Sequence, residues 1–424
     1  MPDATPRSAA SRPPRPSLRS SLRSSLRPIL RATLSAALFA ALALGSAAPS
    51  RALDTAARAA LVIDAGTGAE LLARDPDVPI PPASMSKLMT VYMVFEALAE
   101  GRLSMEDRFR VSARAAAMGG SKMFAREGDA IRVADLLRGV IVQSGNDACV
   151  VLAEGLAGSE EAFAARMNER ARQLGLRGSH FANATGWPDP GQRMTPRDLV
   201  TLAQRLIEDF PQYYPIFAET EFTWEGIRQR NRNPLLFADV GADGLKTGHT
   251  EEAGYGLVGS ARRGDRRVIL MIGGLPDAKA RALEAERLVK WAFREFVNRK
   301  LYAAGQILGE AEVWLGARPS APLTVARDVV ATVPWGARDK LRARIVYEGP
   351  LEAPVARGQE VARLVIEAPD MAPIEVPVVA AEAVPEGGFP ERFKAAARLV
   401  FARAMRALSQ AAEDVAGEGA EGAR

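Results

Sequence analysis

Apolar and polar positions change period along this chain, and the changes divide it. From residue 60 the run Ala-Leu-Val-Ile-Asp, the turn Ala65-Gly66-Thr67-Gly68 and the run Glu70-Leu-Leu-Ala73 read as strand, turn, strand. A loop ending in Pro81-Pro82-Ala83-Ser84 precedes a continuous apolar stretch over 88–98, which has helical length. Residues 106–210 carry mostly helical patterns broken by Gly and Pro. Three strand-like segments follow at 243–246, 255–261 and 267–272, then a helix over 278–297. Strands at both ends with helices between predict a sheet whose first and last strands meet in space. That is an α+β layer arrangement.

The pattern shifts near Ala303. Short β-rich runs at 312–315, 329–333, 343–347, 360–367 and 374–379 are separated by Pro and Gly, which predicts a small all-β domain over 303–385. No charged or aromatic cluster there suggests chemistry, so a spacer or docking module is the reading. Over 386–411 the character changes again: Phe393, Ala397, Val400, Phe401, Ala404 and Leu408 recur at helical spacing behind Pro390. Arg392, Lys394, Arg398, Arg403 and Arg406 flank that stripe, and such a basic amphipathic helix suits an anionic membrane surface. Packing on its own protein is the alternative. The Gly/Glu/Ala tail over 412–424 has the composition of a disordered segment.

Charge changes the picture at the N-terminus. The net +4 is the sum of +7 in residues 1–52, with eight Arg against Asp3, and −3 in the remainder, so nothing favours a nucleic-acid partner. The basic Arg/Ser/Pro front, the apolar run over 36–44 and the small residues around Ser50-Arg51-Ala52 predict an export signal cleaved near Leu53. An uncleaved anchor is the alternative, for which the apolar run is short. A misassigned start codon would account for the long front. Cys149 is the sole cysteine, which excludes an intrachain disulfide, and its apolar surroundings predict a buried small hydrophobe. Two His in the whole chain and no His/Cys/carboxylate cluster give no zinc site, and no cofactor is expected.

Three short motifs carry the chemistry. Ser84-Met85-Ser86-Lys87 is S-x-x-K, Ser144-Gly145-Asn146 is S-x-N, and Lys246-Thr247-Gly248 is K-T-G. The first arises about once or twice by chance in a chain this long, the last roughly a tenth of the time. Singly, each is better read as a solvated lysine, a turn or a strand end. Together and in order they specify serine acyl transfer. A serine hydroxyl needs a base within hydrogen-bond reach, and at i and i+3 on a helix Lys87 can reach Ser84. Pro82 suits a helix start there, whose free N–H groups favour developing negative charge. Lys87 must be neutral to act, and burial together with the neighbouring cation Lys246 would lower its pKa. Ser144 can relay a proton, and the Asn146 amide can hold Lys87 and a substrate carbonyl. Lys246 and Thr247 offer a cation and a hydroxyl to a substrate carboxylate, and Gly248 lets substrate approach the backbone.

At these residues the chain resembles the low-molecular-mass D-alanyl-D-alanine carboxypeptidases, penicillin-binding proteins of serine peptidase family S11. Pro82-Ala-Ser-Met-Ser-Lys-Leu-Met-Thr90, Gly120-Ser-Lys-Met-Phe124, Ser144-Gly-Asn-Asp-Ala-Cys149, Asn231-Arg-Asn233 and Asp243-Gly-Leu-Lys-Thr-Gly-His-Thr250 are similar to family segments. The resemblance runs over 54–300 and extends to the β-rich domain and terminal helix. It implies a penicillin-binding-protein-like catalytic domain over 53–302, with an antiparallel sheet and a helical subdomain. It also implies that Ser84 releases the terminal D-alanine of peptidoglycan stem peptides through an acyl-enzyme, and that β-lactams acylate it stably. The backbone N–H groups of Ser84 and His249 map to the oxyanion hole, so His249 serves through its main chain. Arg281, seven residues before Leu288, maps to the arginine that holds the terminal carboxylate, although 276–282 departs from the family pattern.

Ala184 and Trp187 also depart, standing where Pro and Leu are expected on the cleft rim, and His180 reads as structural. A D,D-endopeptidase acting on cross-links is the first alternative. A serine β-lactamase is the second, and the chain offers it no clear deacylating glutamate. A non-catalytic scaffold that binds wall peptides is at odds with an intact set of motif residues. The resemblance places the enzyme on the periplasmic face of the inner membrane, held peripherally by the C-terminal helix.

Overall fold

The computed structural model describes residues 53–369 and 371–389. Residues 1–52, read above as the export segment, and the amphipathic stretch and tail from Pro390 onward lie outside the described residues. Among the described residues, no helix is long and apolar enough to cross a membrane.

A five-stranded antiparallel sheet organises the catalytic part, in the order Glu70–Arg74, Ala59–Asp64, Arg266–Leu275, Gly254–Arg263, Ala242–Thr250. The first and last parts of this region meet as the pattern predicts: Ala60 faces Ile272 and Val62 faces Leu270 in register. Every residue of Ala59–Asp64 is buried, which is why its apolar run does not alternate. One face packs on helix Ala278–Glu295 through Leu288, Val289 and Ala292. The other packs on a helical layer whose centre is Lys87–Ala99. That helix is apolar on nearly all sides and buried on nearly all sides, the signature of a core helix.

Ser84 does not sit on that α-helix. It stands in a single 3-10 turn, Ala83–Ser86, that leads into the helix at Lys87. In a three-residue turn, positions i and i+3 eclipse, which aligns Ser84 and Lys87 more closely than an α-helix would.

The C-terminal β region contains a six-stranded sheet and the pair Phe296–Tyr302 with Val329–Pro334. Strand Phe296–Tyr302 precedes the compositional change at Ala303, yet it pairs with strand residues beyond that change. A buried polar joint ties this region to the sheet. The Asp64 carboxylate accepts from Arg266 Nε at 2.7 Å and from Asn298 Nδ2 at 3.1 Å. Thr332 Oγ1 donates to Asn298 Oδ1 at 2.8 Å. Asp64 is fully buried, so its charge requires this set of donors.

Candidate active site

Three separate segments converge on Ser84. Lys87 Nζ donates to Ser84 Oγ at 2.8 Å, to Asn146 Oδ1 at 2.7 Å, and to the carbonyl of Thr185. Asn146 opens helix Asn146–Ala157, and its Nδ2 donates to Gly119 O at 2.8 Å. The amide is thereby fixed with its oxygen on the lysine. Ser144, two residues earlier, adopts a left-handed φ of 60°. Its Oγ accepts from Lys246 Nζ at 2.9 Å.

Lys246, Thr247 and Gly248 are buried on the edge strand Ala242–Thr250. A Cβ on Gly248 would lie 2.9 Å from Pro82 O and 3.2 Å from the Ala83 side chain. Only glycine lets the strand press against the turn that carries Ser84, and this brings His249 to its side. The His249 ring is exposed and stacks on Tyr255 at 3.9 Å.

Both lysines are fully or nearly fully buried, at 0% and 2% exposure. The Lys87 pKa is lowered to about 8, chiefly by burial and also by the charge of Arg232, while Asp147 and Glu160 pull the other way. Lys246 lies well below an ordinary lysine, chiefly through burial and then through the charges of Lys87 and Arg232. The sequence reading made Lys246 the neighbour that depresses Lys87. In the structure burial is the larger cause for both amines; the cation that depresses Lys87 is Arg232, and Lys87 in turn depresses Lys246. Cys149 is fully buried and its thiol is pushed up to about 12, so it remains a neutral hydrophobe.

The cleft holds about 460 Å³ and is lined by Ser84, Ser144, Thr247, Gly248, His249 and Arg281, joined by Ser121, Arg232 and Tyr255. Arg281 sits in the first turn of helix Ala278–Glu295, where the helix dipole disfavours a cation. Its guanidinium lies 5.6 Å from the Tyr255 ring, has no carboxylate partner among the described residues, and keeps a buried Nε without a hydrogen bond. An unpaired cation held at this cost suits an incoming carboxylate. Motif reading missed Arg232, which hydrogen-bonds Ser121 on the opposite wall, and the Thr185 carbonyl on Lys87. Arg232 was visible only as the middle of Asn231-Arg-Asn233. A backbone carbonyl leaves no trace in residue identity.

Trp187 covers the rim, half-exposed, with its ring 3.1 Å from where a Cβ of Gly119 or Gly120 would stand. His180 is exposed and away from this cleft, with Nδ1 2.7 Å from Gly191 O.

Residues 46–275 match the family model described as D-alanyl-D-alanine carboxypeptidase, and 296–386 match that of the penicillin-binding protein 5 C-terminal domain. The D-alanyl-D-alanine carboxypeptidase DacA of Escherichia coli is 37% identical over 337 residues, covering 78% of this chain and 84% of that protein. Penicillin binding protein 5 from Haemophilus influenzae superposes with a TM-score of 0.72 at 35% identity, over 78% of this chain and 98% of the other. Penicillin-binding protein D2 from Listeria monocytogenes, solved in an ampicillin-bound form, superposes with a TM-score of 0.53 at 32% identity, over 57% and 99%. Fold, motif geometry and these likenesses together place the chain in the D-alanyl-D-alanine carboxypeptidase family of serine hydrolases.

Proposed function

We propose that Ser84 is the nucleophile with which this enzyme removes the terminal D-alanine from peptidoglycan stem peptides. The observation that carries this reading is the 2.8 Å contact between Ser84 Oγ and a buried Lys87 amine whose pKa is lowered to about 8. Neutral Lys87 takes the hydroxyl proton as Ser84 Oγ bonds to the penultimate D-alanine carbonyl carbon. Backbone N–H groups of Ser84 and His249 receive the oxyanion, and the Asn146 amide orients the acyl chain. Lys246, Thr247 and Arg281 hold the terminal carboxylate. Ser144, bonded to Lys246, relays the proton to the leaving amine as the C–N bond breaks and D-alanine departs. Water then attacks the ester carbon and gives a proton to Lys87, which passes it to Ser84 Oγ as the C–O bond breaks and the shortened stem peptide leaves as the acid.

β-Lactams present a strained amide and a carboxylate at matching positions and acylate the same oxygen. The ampicillin-bound Listeria relative supports that reading. Residues 53–302 form the catalytic unit in this proposal, and 303–385 a spacer. The basic helix over 386–411 rests on the periplasmic face of the inner membrane, a placement supported by its amphipathic pattern.

Incubation with diacetyl-Lys-D-Ala-D-Ala tests the reaction: wild type releases D-alanine and Ser84→Ala does not. Preferential cutting of cross-linked muropeptides would favour the endopeptidase. Rapid penicillin turnover without a lasting Ser84 adduct would favour a β-lactamase.

A further inference from the structure

A second cleft, of about 590 Å³, opens where helix Ala278–Glu295 runs into strand Phe296–Tyr302 and the turn Trp335–Ala337 comes alongside. Clefts at such junctions are common ligand sites. Phe293, Phe296 and Trp335 give it an aromatic lining, and Arg263, Arg266 and Arg294 line it with charge. These cations are not equivalent. Arg266 is spent on the interior, bonding Asp64 at 2.7 Å and the carbonyls of Ala292 and Phe296. Arg294 is bonded to Glu295 at 2.6 Å. Arg263 is exposed, rests on the Phe293 ring at 4.8 Å, and has no carboxylate partner among the described residues. Trp335 is 55% exposed, and the Arg338 guanidinium holds its ring from 4.2 Å.

We infer that this cleft binds a carboxylate-bearing glycopeptide unit of the peptidoglycan polymer, the sugar ring against Trp335 and the carboxylate on Arg263. The reaction assigned above supplies the identity of the polymer. An aromatic face beside one free guanidinium suits the C–H face of a sugar ring carrying an anion. A lipid surface is served less well, because the aromatic groups line a cleft together with charged residues. Strand Gly254–Arg263 carries Tyr255 in the catalytic cleft and Arg263 in this one. The eight residue steps between them span roughly 26 Å. A fully extended pentapeptide reaches at most about 18 Å. The peptide of a single stem therefore does not bridge the two clefts by itself, and the second cleft retains the strand between turnovers.

Full-length Ser84→Ala protein should co-sediment with insoluble peptidoglycan, and adding Arg263→Glu with Trp335→Ala should weaken that binding about tenfold. In the wild-type background the same two changes should leave kcat/KM on diacetyl-Lys-D-Ala-D-Ala and labelling by a fluorescent penicillin unchanged, which also shows that the variant folds. Unaltered sedimentation overturns the inference. So does a loss confined to anionic phospholipid vesicles, which would assign the cleft to lipid headgroups. If wild type releases no D-alanine while the sedimentation difference persists, the reaction assignment fails and the cleft stands.

Discussion

A side chain on Gly186 would collide with Ala83: the added Cβ would stand 1.9 Å from the Ala83 carbonyl oxygen and 2.5 Å from Ser86 Oγ. Gly186 has a φ of 76° and follows Thr185, whose carbonyl holds Lys87. One close approach thus locks the turn that carries Ser84 to the loop that holds Lys87. Gly186→Ala must displace backbone on one side or the other. We expect penicillin acylation to fall at least tenfold with a lowered melting temperature, since left-handed strain adds about 1–3 kcal/mol to the clash. Acylation at the wild-type rate would show that the two loops move independently.

Asp147 supports the same site from beneath. Its buried carboxylate accepts from the N–H groups of Met123 at 3.0 Å, Phe124 at 2.9 Å and Ala125 at 3.0 Å. These lie on the loop whose Gly119 carbonyl holds Asn146. Asp147→Ala strands those donors, at about 1–3 kcal/mol for each one left buried. Urea unfolding should show a loss of about 3 kcal/mol or more, and acylation should slow because Asn146 loses its fixed orientation.

The pH profile follows from Lys87. Its pKa is lowered to about 8, so the neutral, proton-accepting form grows as pH rises through that value. Acylation should therefore climb through a limb near 8 and not near the ordinary lysine range at about 10.4. Lys87→Arg keeps the charge and removes the base, and should slow acylation about 10²- to 10⁴-fold. Stopped-flow with a fluorescent penicillin from pH 6 to 10 reads both effects; a limb at 10 would contradict the assignment.

Arg281 is set to meet a carboxylate. Arg281→Ala should reduce kcat/KM for diacetyl-Lys-D-Ala-D-Ala by about ten- to a hundredfold. The same change should affect a peptide ending in a carboxamide little, because no anion is then lost. Equal losses on both peptides would mean that Arg281 holds structure instead of substrate.

Much of this was legible before folding. The i, i+3 spacing of Ser84 and Lys87, the order of the three motifs, the unbroken apolar runs of a sheet buried on both faces and the isolation of Cys149 are written in the chain. They were readable because local geometry and side-chain chemistry depend on near neighbours. Tertiary structure alone decided that the Thr185 carbonyl caps Lys87 from 98 residues away, and that Gly186 wedges against Ala83. It also decided that Arg232 reaches across to Ser121, and that Asp64 joins the sheet to Asn298 and Arg266. These relations depend on the register in which distant strands close, and in two of them the partner is a backbone atom common to every residue. The sequence singled out Ser84 and Lys87; the closure of the sheet determined how deeply they are buried and hence how basic the lysine is.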